Sequence, residues 1–166
     1  MKVAFASDHA GWPLRWRVIA EITTLGHVPV DCGPAELVQG DDYPDRAEAV
    51  GRVVAAGGAD RGILVCGSGV GAAIAATKIH GIRACMCHDT FSARQGVEDD
   101  DMNVLALGAR VIGDELAGVL IREFLSARFS GAERHRRRLE KVMAIERGDV
   151  SARRVQDDIG AAGNSG

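Results

Sequence analysis

Three short segments combine residue types that can do chemistry: residues 7–11 (SDHAG), 66–71 (CGSGVG) and 134–138 (RHRRR). The first places a carboxylate beside an imidazole, a pair that can bind sugar hydroxyls, hold a phosphate or move a proton. The second places a thiol and a hydroxyl in a run whose alternating glycines let the backbone turn tightly. The third puts two arginines four residues apart on one helix face, where two guanidinium groups suit a phosphate dianion.

The glycine-rich segment follows an apolar run and precedes a helical pattern, so its N–H groups are expected to point into one concavity. Such a concavity stabilises an anion, and Cys66 at its start is expected to have a lowered pKa and to act as a base or nucleophile. The segment is not a P-loop, because no Gly-Lys-Ser/Thr follows it. An ordinary strand-to-helix turn is the alternative here, and a helix N-cap by Asp8 is the alternative for residues 7–11.

The basic segment has two further interpretations, a solvated helix face and a nucleic-acid patch. Aromatic residues make up only 4% of the chain, which leaves little for base stacking, and the net charge of −3 gives no bias toward nucleic acid. No apolar run approaches the ~20 residues of a membrane span, and no signal-peptide pattern opens the sequence. We therefore expect a cytoplasmic protein that binds neither nucleic acid nor a membrane.

The elements that must position these segments alternate between strands and helices. Strands in parallel βαβ units are buried on both faces, and this gives continuous apolar runs such as those seen here. We therefore predict an α/β fold, a three-layer, doubly wound (Rossmann-like) five-stranded parallel sheet. The predicted strands cover residues 2–6, 27–31, 61–66, 82–87 and 104–107, and the predicted helices cover 13–25, 44–56, 72–77, 90–97, 114–128 and 132–147.

In a doubly wound sheet, ligands bind at the carboxyl ends of the strands, which points to residues 7–11, 66–71 and 108–110. The length of 166 residues suits one domain, predicted over residues 1–148. Residues 149–166 lose apolar periodicity and are predicted to be a disordered or loosely packed tail. The four cysteines form no C-x-x-C pair, so we expect free thiols, no metal site and no cofactor.

Taken together, the motifs resemble the type B ribose-5-phosphate isomerases, which belong to the RpiB/LacA/LacB sugar-phosphate isomerases. The resemblance covers about residues 1–147 and implies an aldose–ketose isomerase that works through a cis-enediol(ate) without a metal. D-ribose 5-phosphate and D-ribulose 5-phosphate are its expected substrates. It also implies a homodimer or tetramer with shared active sites, the C-terminal helix packing on a partner subunit. The matching motifs are residues 7–11, 42–44 (DYP), 66–71, 103–110 (NVLALGAR) and 134–135.

The resemblance implies a role for each matching position. Cys66 would be the base that moves a proton between C1 and C2, and Ser68 would handle the protons on O1 and O2. Backbone amides of the same turn would stabilise the enediolate oxygen, at Gly67, Gly69, Val70 and Gly71. The remaining substrate contacts would be Asp8 and Tyr43 on the sugar, His9 on the phosphate, Arg134 and Arg138 on the phosphate from the neighbouring subunit, and Asp100, Asn103 and Arg110 at other family site positions.

One position departs from the family pattern. Many members carry a histidine that helps to open the furanose ring, and here Asp99 stands in its place. A carboxylate can transfer a proton at a ring oxygen when its pKa is raised, and His88 at the end of the fourth strand is another candidate. Two other functions stay open. One is an isomerase of another sugar phosphate, such as erythrose 4-phosphate, which cannot close a furanose ring. The other is a non-catalytic sugar-phosphate-binding subunit.

Overall fold

The computed structural model describes residues 1–149. A central sheet of five parallel strands is flanked by helices on both faces, so the predicted three-layer α/β fold is confirmed. The strands are β1 Lys2–Ser7, β2 Val28–Asp31, β3 Arg61–Cys66, β4 Ala84–Met86 and β5 Val104–Gly108. The helices are α1 Arg15–Thr24, α2 Tyr43–Ala55, α3 Val70–Ala76, α4 Thr90–Asp100, α5 Asp114–Ser126 and α6 Glu133–Glu146.

The strand order β2-β1-β3-β5-β4 places the site segments side by side. The chain winds outward from β1 to β2 and then returns to β3 on the other side of β1, so the winding direction reverses between β1 and β3. Ser7 lies level with Val65, and Cys66 lies level with Gly108. The carboxyl ends of β1, β3 and β5 therefore meet at one edge, which is where such folds bind ligands.

Two hydrophobic cores hold the sheet between its helices. Successive residues of a strand face opposite sides, so Val3 and Phe5 pack with α1, α4 and α5, whereas Ala4 and Ala6 pack with α2 and α3. The first core contains the bulkier side chains, among them Phe124. The second is rich in alanine, which lets α2 and α3 lie close to the sheet on the side that Cys66 faces.

Most element boundaries differ from the sequence prediction by one to three residues, and α4 ends at Asp100 rather than at residue 97, which places Asp99 and Asp100 on that helix. The fourth strand covers Ala84–Met86 rather than 82–87, and the side chain of Asn103 accepts the backbone N–H of Arg83 at 2.8 Å just before the strand begins. The first helix begins two residues later than predicted, after one turn of 3-10 helix at Trp12–Leu14.

The C-terminal helix α6 packs on its own chain. It contacts α4, and Glu146 accepts the backbone N–H of Gly81 at 2.8 Å. Between α6 and β4 runs a largely apolar groove of about 640 Å³, where Val142 and Ile145 are exposed. The packing of α6 on a partner subunit, and the domain boundary after residue 148, both stay predictions.

The predicted tail, residues 149–166, lies outside the described residues except for Asp149. Within residues 1–149, none of the helices has both the length and the apolar composition that crossing a membrane would need.

The larger core predicts a strong dependence of stability on Phe124, whose side chain is fully buried. Phe124→Ala is expected to lower the free energy of unfolding by about 3–5 kcal/mol, because it removes buried apolar surface and leaves a cavity. Urea denaturation followed by circular dichroism measures the change. Phe91 is 72% exposed and is the matched control, with an expected cost of Phe91→Ala below about 1 kcal/mol. Equal losses in the two variants would contradict this account of the core.

Candidate active site

A cavity of about 350 Å³ opens at the carboxyl edge of the sheet. Its volume falls within the range of small-molecule sites, ~300–1,000 Å³. Most of the residues that the sequence singles out at the strand ends meet here. The lining residues are Asp8, His9, Ala10, Tyr43, Cys66, Gly67, Ser68, Gly71, Arg110 and Val111.

The turn after β3 directs two of its backbone amides at side chains of the same turn. Gly69 adopts a positive φ of 83°, and its N–H lies 3.1 Å from the sulphur of Cys66, which is 5% exposed. The N–H of Val70 lies 3.3 Å from the hydroxyl oxygen of Ser68. The hydrogen bond from Gly69 fixes the position of the Cys66 sulphur in the observed geometry. The expected oxyanion role of the turn amides stays a prediction.

Close backbone approach fixes the position of this turn. A Cβ atom on Gly108 would lie 2.6 Å from the backbone carbon and oxygen of Ser68, so only glycine allows β5 to pass beneath the turn. On the outer side, the ring of Tyr43 covers Gly71, where a Cβ atom would come within 2.7 Å of it. Tyr43 is 42% exposed and completes the rim of the cavity.

Asp8 serves the local turn as well as the cavity. Its Oδ1 accepts the backbone N–H of Gly11 at 2.8 Å, and the residue is 5% exposed. The helix N-cap interpretation of Asp8 is therefore wrong, because Gly11 is the N-cap of the 3-10 helix and the Asp8 bond closes the turn before it. The same carboxylate borders the cavity beside Cys66.

Two residues that the sequence analysis did not identify hold His9 in place. Asp41 accepts the backbone N–H of His9 at 2.7 Å and lies 3.1 Å from its Nδ1, and Arg46 donates to the other oxygen of Asp41 at 2.9 Å. The chain separates Asp41 from His9 by 32 residues. The only sequence signal is the position of Asp41 just before the Tyr43 motif.

Three predicted site positions lie at the opposite edge of the sheet. Asp99 and Asp100 end α4, and Asn103 precedes β5, so they stand about 16 Å or more from the carboxyl end of that strand. The side chain of Asn103 bonds the backbone of Gly81 and Arg83, a structural role. None of the three lines the cavity of its own chain.

The basic helix is likewise separate from the cavity of its own chain. Arg134 and Arg138 are exposed on α6 and do not line it. His135 between them is 3% exposed, with its Nδ1 3.3 Å from Asp99 and its Nε2 accepting a bond from Arg134 at 2.8 Å. Asp99 and Arg134 therefore belong to one cluster, which faces away from Cys66.

The remaining histidine and cysteine candidates contact groups of their own chain. The Nε2 atom of His88 accepts the backbone N–H of Gly108 at 3.1 Å, so this ring supports the end of β5. A hydrogen bond from Cys87 lowers the pKa of Cys85 to about 6, and the same contact together with burial raises the pKa of Cys87. Within residues 1–149, no three His, Cys, Asp or Glu side chains come together as metal ligands would.

The chain is similar to characterised proteins over most of its length. The sequence profile of the family described as Ribose/Galactose Isomerase matches residues 3–142. Ribose-5-phosphate isomerase B of Escherichia coli is 42% identical over 145 residues, 87% of this chain and 96% of that protein. D-erythrulose-4-phosphate isomerase of Pectobacterium atrosepticum is 37% identical over 131 residues, 79% and 86% of the two chains. The structure of type B ribose 5-phosphate isomerase from Trypanosoma cruzi superposes with a TM-score of 0.86 at 40% identity, covering 89% of this chain and 99% of that one.

The contact between Gly108 and Ser68 predicts a specific cost of adding one methyl group. Gly108→Ala is expected to lower the free energy of unfolding by about 1–3 kcal/mol, because the turn after β3 must shift. Gly113 is the matched control, since a Cβ atom there meets nothing within 4 Å and its φ is −85°. Gly113→Ala should cost less than about 1 kcal/mol, the loss of an N-cap preference. Thermal unfolding of both variants is the measurement, and equal destabilisation would contradict the assigned contact.

Proposed function

The chain belongs to the ribose/galactose isomerase family and is a sugar-phosphate isomerase, and we propose that it interconverts D-ribose 5-phosphate and D-ribulose 5-phosphate with Cys66 as the base. The observation that carries this proposal is the Cys66 thiol in the cavity, with the Gly69 N–H on its sulphur and the Ser68 hydroxyl beside it. A base, a proton-transferring hydroxyl and backbone donors within six residues meet the needs of proton transfer next to a carbonyl.

The proposed chemistry uses the open-chain aldose. The Cys66 thiolate takes the proton from C2, and the electron pair of that bond forms the C1–C2 double bond of an enediolate with its charge on O1. The Ser68 hydroxyl gives its proton to O1 and takes the proton of O2. The Cys66 thiol then returns its proton to C1, which leaves the ketone at C2 and restores both side chains.

The charged residues of the cavity suggest how the substrate is oriented. His9 and Arg110 line it together with Asp8. A guanidinium and an imidazole are suited to the phosphate dianion, and a carboxylate is suited to sugar hydroxyl groups. We assign the phosphate to His9 and Arg110, and the hydroxyl groups to Asp8 and Tyr43.

A second copy of the chain would complete the site. Arg134 and Arg138 are exposed and distant from their own cavity, so they can reach a phosphate only in a neighbouring subunit. The same holds for Asp99 and Asp100 at the opposite sheet edge. We therefore propose a homodimer with shared sites. A tetramer built from two such dimers would contain the same sites.

Cys66→Ala is expected to abolish isomerisation and to leave binding of a phosphate ligand nearly unchanged, because the base is lost while the phosphate contacts stay. Ketose formation from ribose 5-phosphate and calorimetric titration with inorganic phosphate measure the two properties. Retention of a tenth or more of wild-type turnover would refute the role of Cys66. If wild type itself produced no ketose, the alternative of a non-catalytic sugar-phosphate-binding subunit would be favoured.

Arg134→Ala and Arg138→Ala are each expected to raise KM strongly, by ~2–3 kcal/mol of lost charge-assisted bonding. Shared sites make a sharper test available. When Cys66→Ala and Arg138→Ala chains are refolded together, each mixed dimer contains one site with a wild-type Cys66 and a wild-type Arg138. Activity should therefore recover in mixed dimers verified by mass spectrometry, whereas sites confined to one chain would give no recovery.

Erythrose 4-phosphate is the second candidate substrate. Asp99 stands where the family resemblance implies a ring-opening histidine, and the Pectobacterium relative is named for erythrulose 4-phosphate. A tetrose 4-phosphate cannot form a furanose ring, because O4 carries the phosphate, so its isomerase needs no ring-opening acid.

Under this second assignment, kcat/KM for erythrose 4-phosphate should equal or exceed that for ribose 5-phosphate. Asp99→His should then speed the ribose reaction selectively, since general acid help contributes ~10²–10⁴-fold. Ketose formation from the two aldose phosphates is the measurement. A preference of wild type for ribose 5-phosphate by ~10²-fold or more would exclude the tetrose assignment.

A further inference from the structure

We propose that Asp41 is a positioning residue that fixes His9 as the group transferring a proton at the ring oxygen of a cyclic sugar phosphate. This inference rests on the proposed function and assigns its ring-opening step to residues of the same cavity as Cys66. Asp41 precedes α2, and its side chain is only 6% exposed. His9 lines the cavity, with 34% of its side chain exposed.

The contacts of His9 determine which of its nitrogens carries the proton. Its Nδ1 lies 3.1 Å from Oδ1 of Asp41 and 3.3 Å from the backbone carbonyl oxygen of the same residue. Both neighbours are acceptors, so Nδ1 must be the donor. Within residues 1–149, Nε2 of His9 has no hydrogen-bond partner, and it is therefore the atom that can exchange a proton with a bound molecule.

Asp41 is itself held in the charged form. Burial acts to raise the pKa of Asp41, but hydrogen bonds from the His9 backbone N–H, from Arg46 and from the His9 ring outweigh it and lower the pKa. The Arg46 Nε lies 2.9 Å from Oδ2, so each carboxylate oxygen has its own donor. A carboxylate fixed on both oxygens can orient an imidazole, as in other Asp–His pairs.

The position of His9 suits the ring oxygen of a furanose. In ribose 5-phosphate the ring oxygen O4 is bonded to C4, and C4 is bonded to C5, which carries the phosphate. A group at the phosphate end of the substrate therefore lies next to O4, so Nε2 of His9 faces O4 while the ring is closed and contacts the phosphate once the ring is open. In ring opening, the C1–O4 bond breaks with its electron pair going to O4, and Nε2 of protonated His9 gives its proton to O4. The O1 hydroxyl loses its proton to water in the cavity, and that proton restores Nε2.

The other candidates for this step are committed elsewhere in the chain. Asp99 could reach a cavity only from a neighbouring subunit, and its carboxylate already lies 3.1 Å from the amide nitrogen of Gln95 and 3.3 Å from Nδ1 of His135. His88 uses Nε2 to accept the backbone N–H of Gly108 and does not line the cavity.

The test compares two substrates in variants of Asp41. In Asp41→Ala, kcat for ribose 5-phosphate should fall ~10²-fold or more, the contribution of a general acid, while kcat for erythrose 4-phosphate should change less than about threefold. Asp41→Asn keeps an oxygen for Nδ1–H and should recover part of the ribose activity. Asp45 lies nearby on the first turn of α2 and is exposed, so Asp45→Asn should leave both reactions unchanged.

Long-range 1H–15N spectra of 15N-labelled wild type supply a readout that is independent of turnover and of the folding of the Asp41 variants. His9, assigned by its loss in His9→Asn, should carry its proton on Nδ1. Three outcomes would overturn the inference. The neutral ring of His9 could carry its proton on Nε2, Asp41→Ala could lower kcat equally for both substrates, or wild type could convert erythrose 4-phosphate but not ribose 5-phosphate. If wild type isomerises neither substrate, the proposed function fails, and the tautomer of His9 still tests the Asp41 contact.

Discussion

The whole site depends on a backbone-to-backbone contact between the turn after β3 and the end of β5. At Gly108 the strand passes so close to Ser68 that no Cβ atom fits between them. This contact holds the turn down on the sheet, and the left-handed conformation of Gly69 then aims its N–H at the Cys66 sulphur. Since main-chain atoms make these contacts, Cys66 and its hydrogen-bond donor are fixed by the sheet itself, without relying on the rotamer of a long side chain.

Around that fixed turn, the charged residues are positioned by contacts that reach across the fold. Asp41 connects the loop before α2 to His9 after β1, and Arg46 on the first turns of α2 holds Asp41. The helix that carries Tyr43 on the rim therefore also orients the imidazole. The position of α2 therefore sets both the rim of the cavity and the orientation of His9.

The rest of the chemistry is gathered on the other side of the molecule. Asp99, His135 and Arg134 lie together where α4 meets α6, at the sheet edge opposite the Cys66 of the same chain, and Arg134 donates a hydrogen bond to Nε2 of His135. Because His135 is buried, its Nε2 can orient Arg134 while the guanidinium stays exposed. An exposed guanidinium that is already oriented can bind a phosphate in a neighbouring subunit. This geometry of one chain supports the proposal of a second copy.

The sequence by itself determined the fold class, the positions of the strands along the chain and the residues at the strand ends that line the cavity. Apolar runs and turn residues have local causes, so the five strands and the residues at their ends could be predicted, Cys66, Ser68, Asp8 and His9 among them. Only the tertiary structure decided which distant side chains hold these residues in place. The Asp41–His9 pair spans 32 residues, and the cluster of Asp99 with His135 spans 36 residues and joins two helices. No periodicity encodes such pairs, because each depends on how separate elements pack against one another rather than on the neighbours of a residue along the chain.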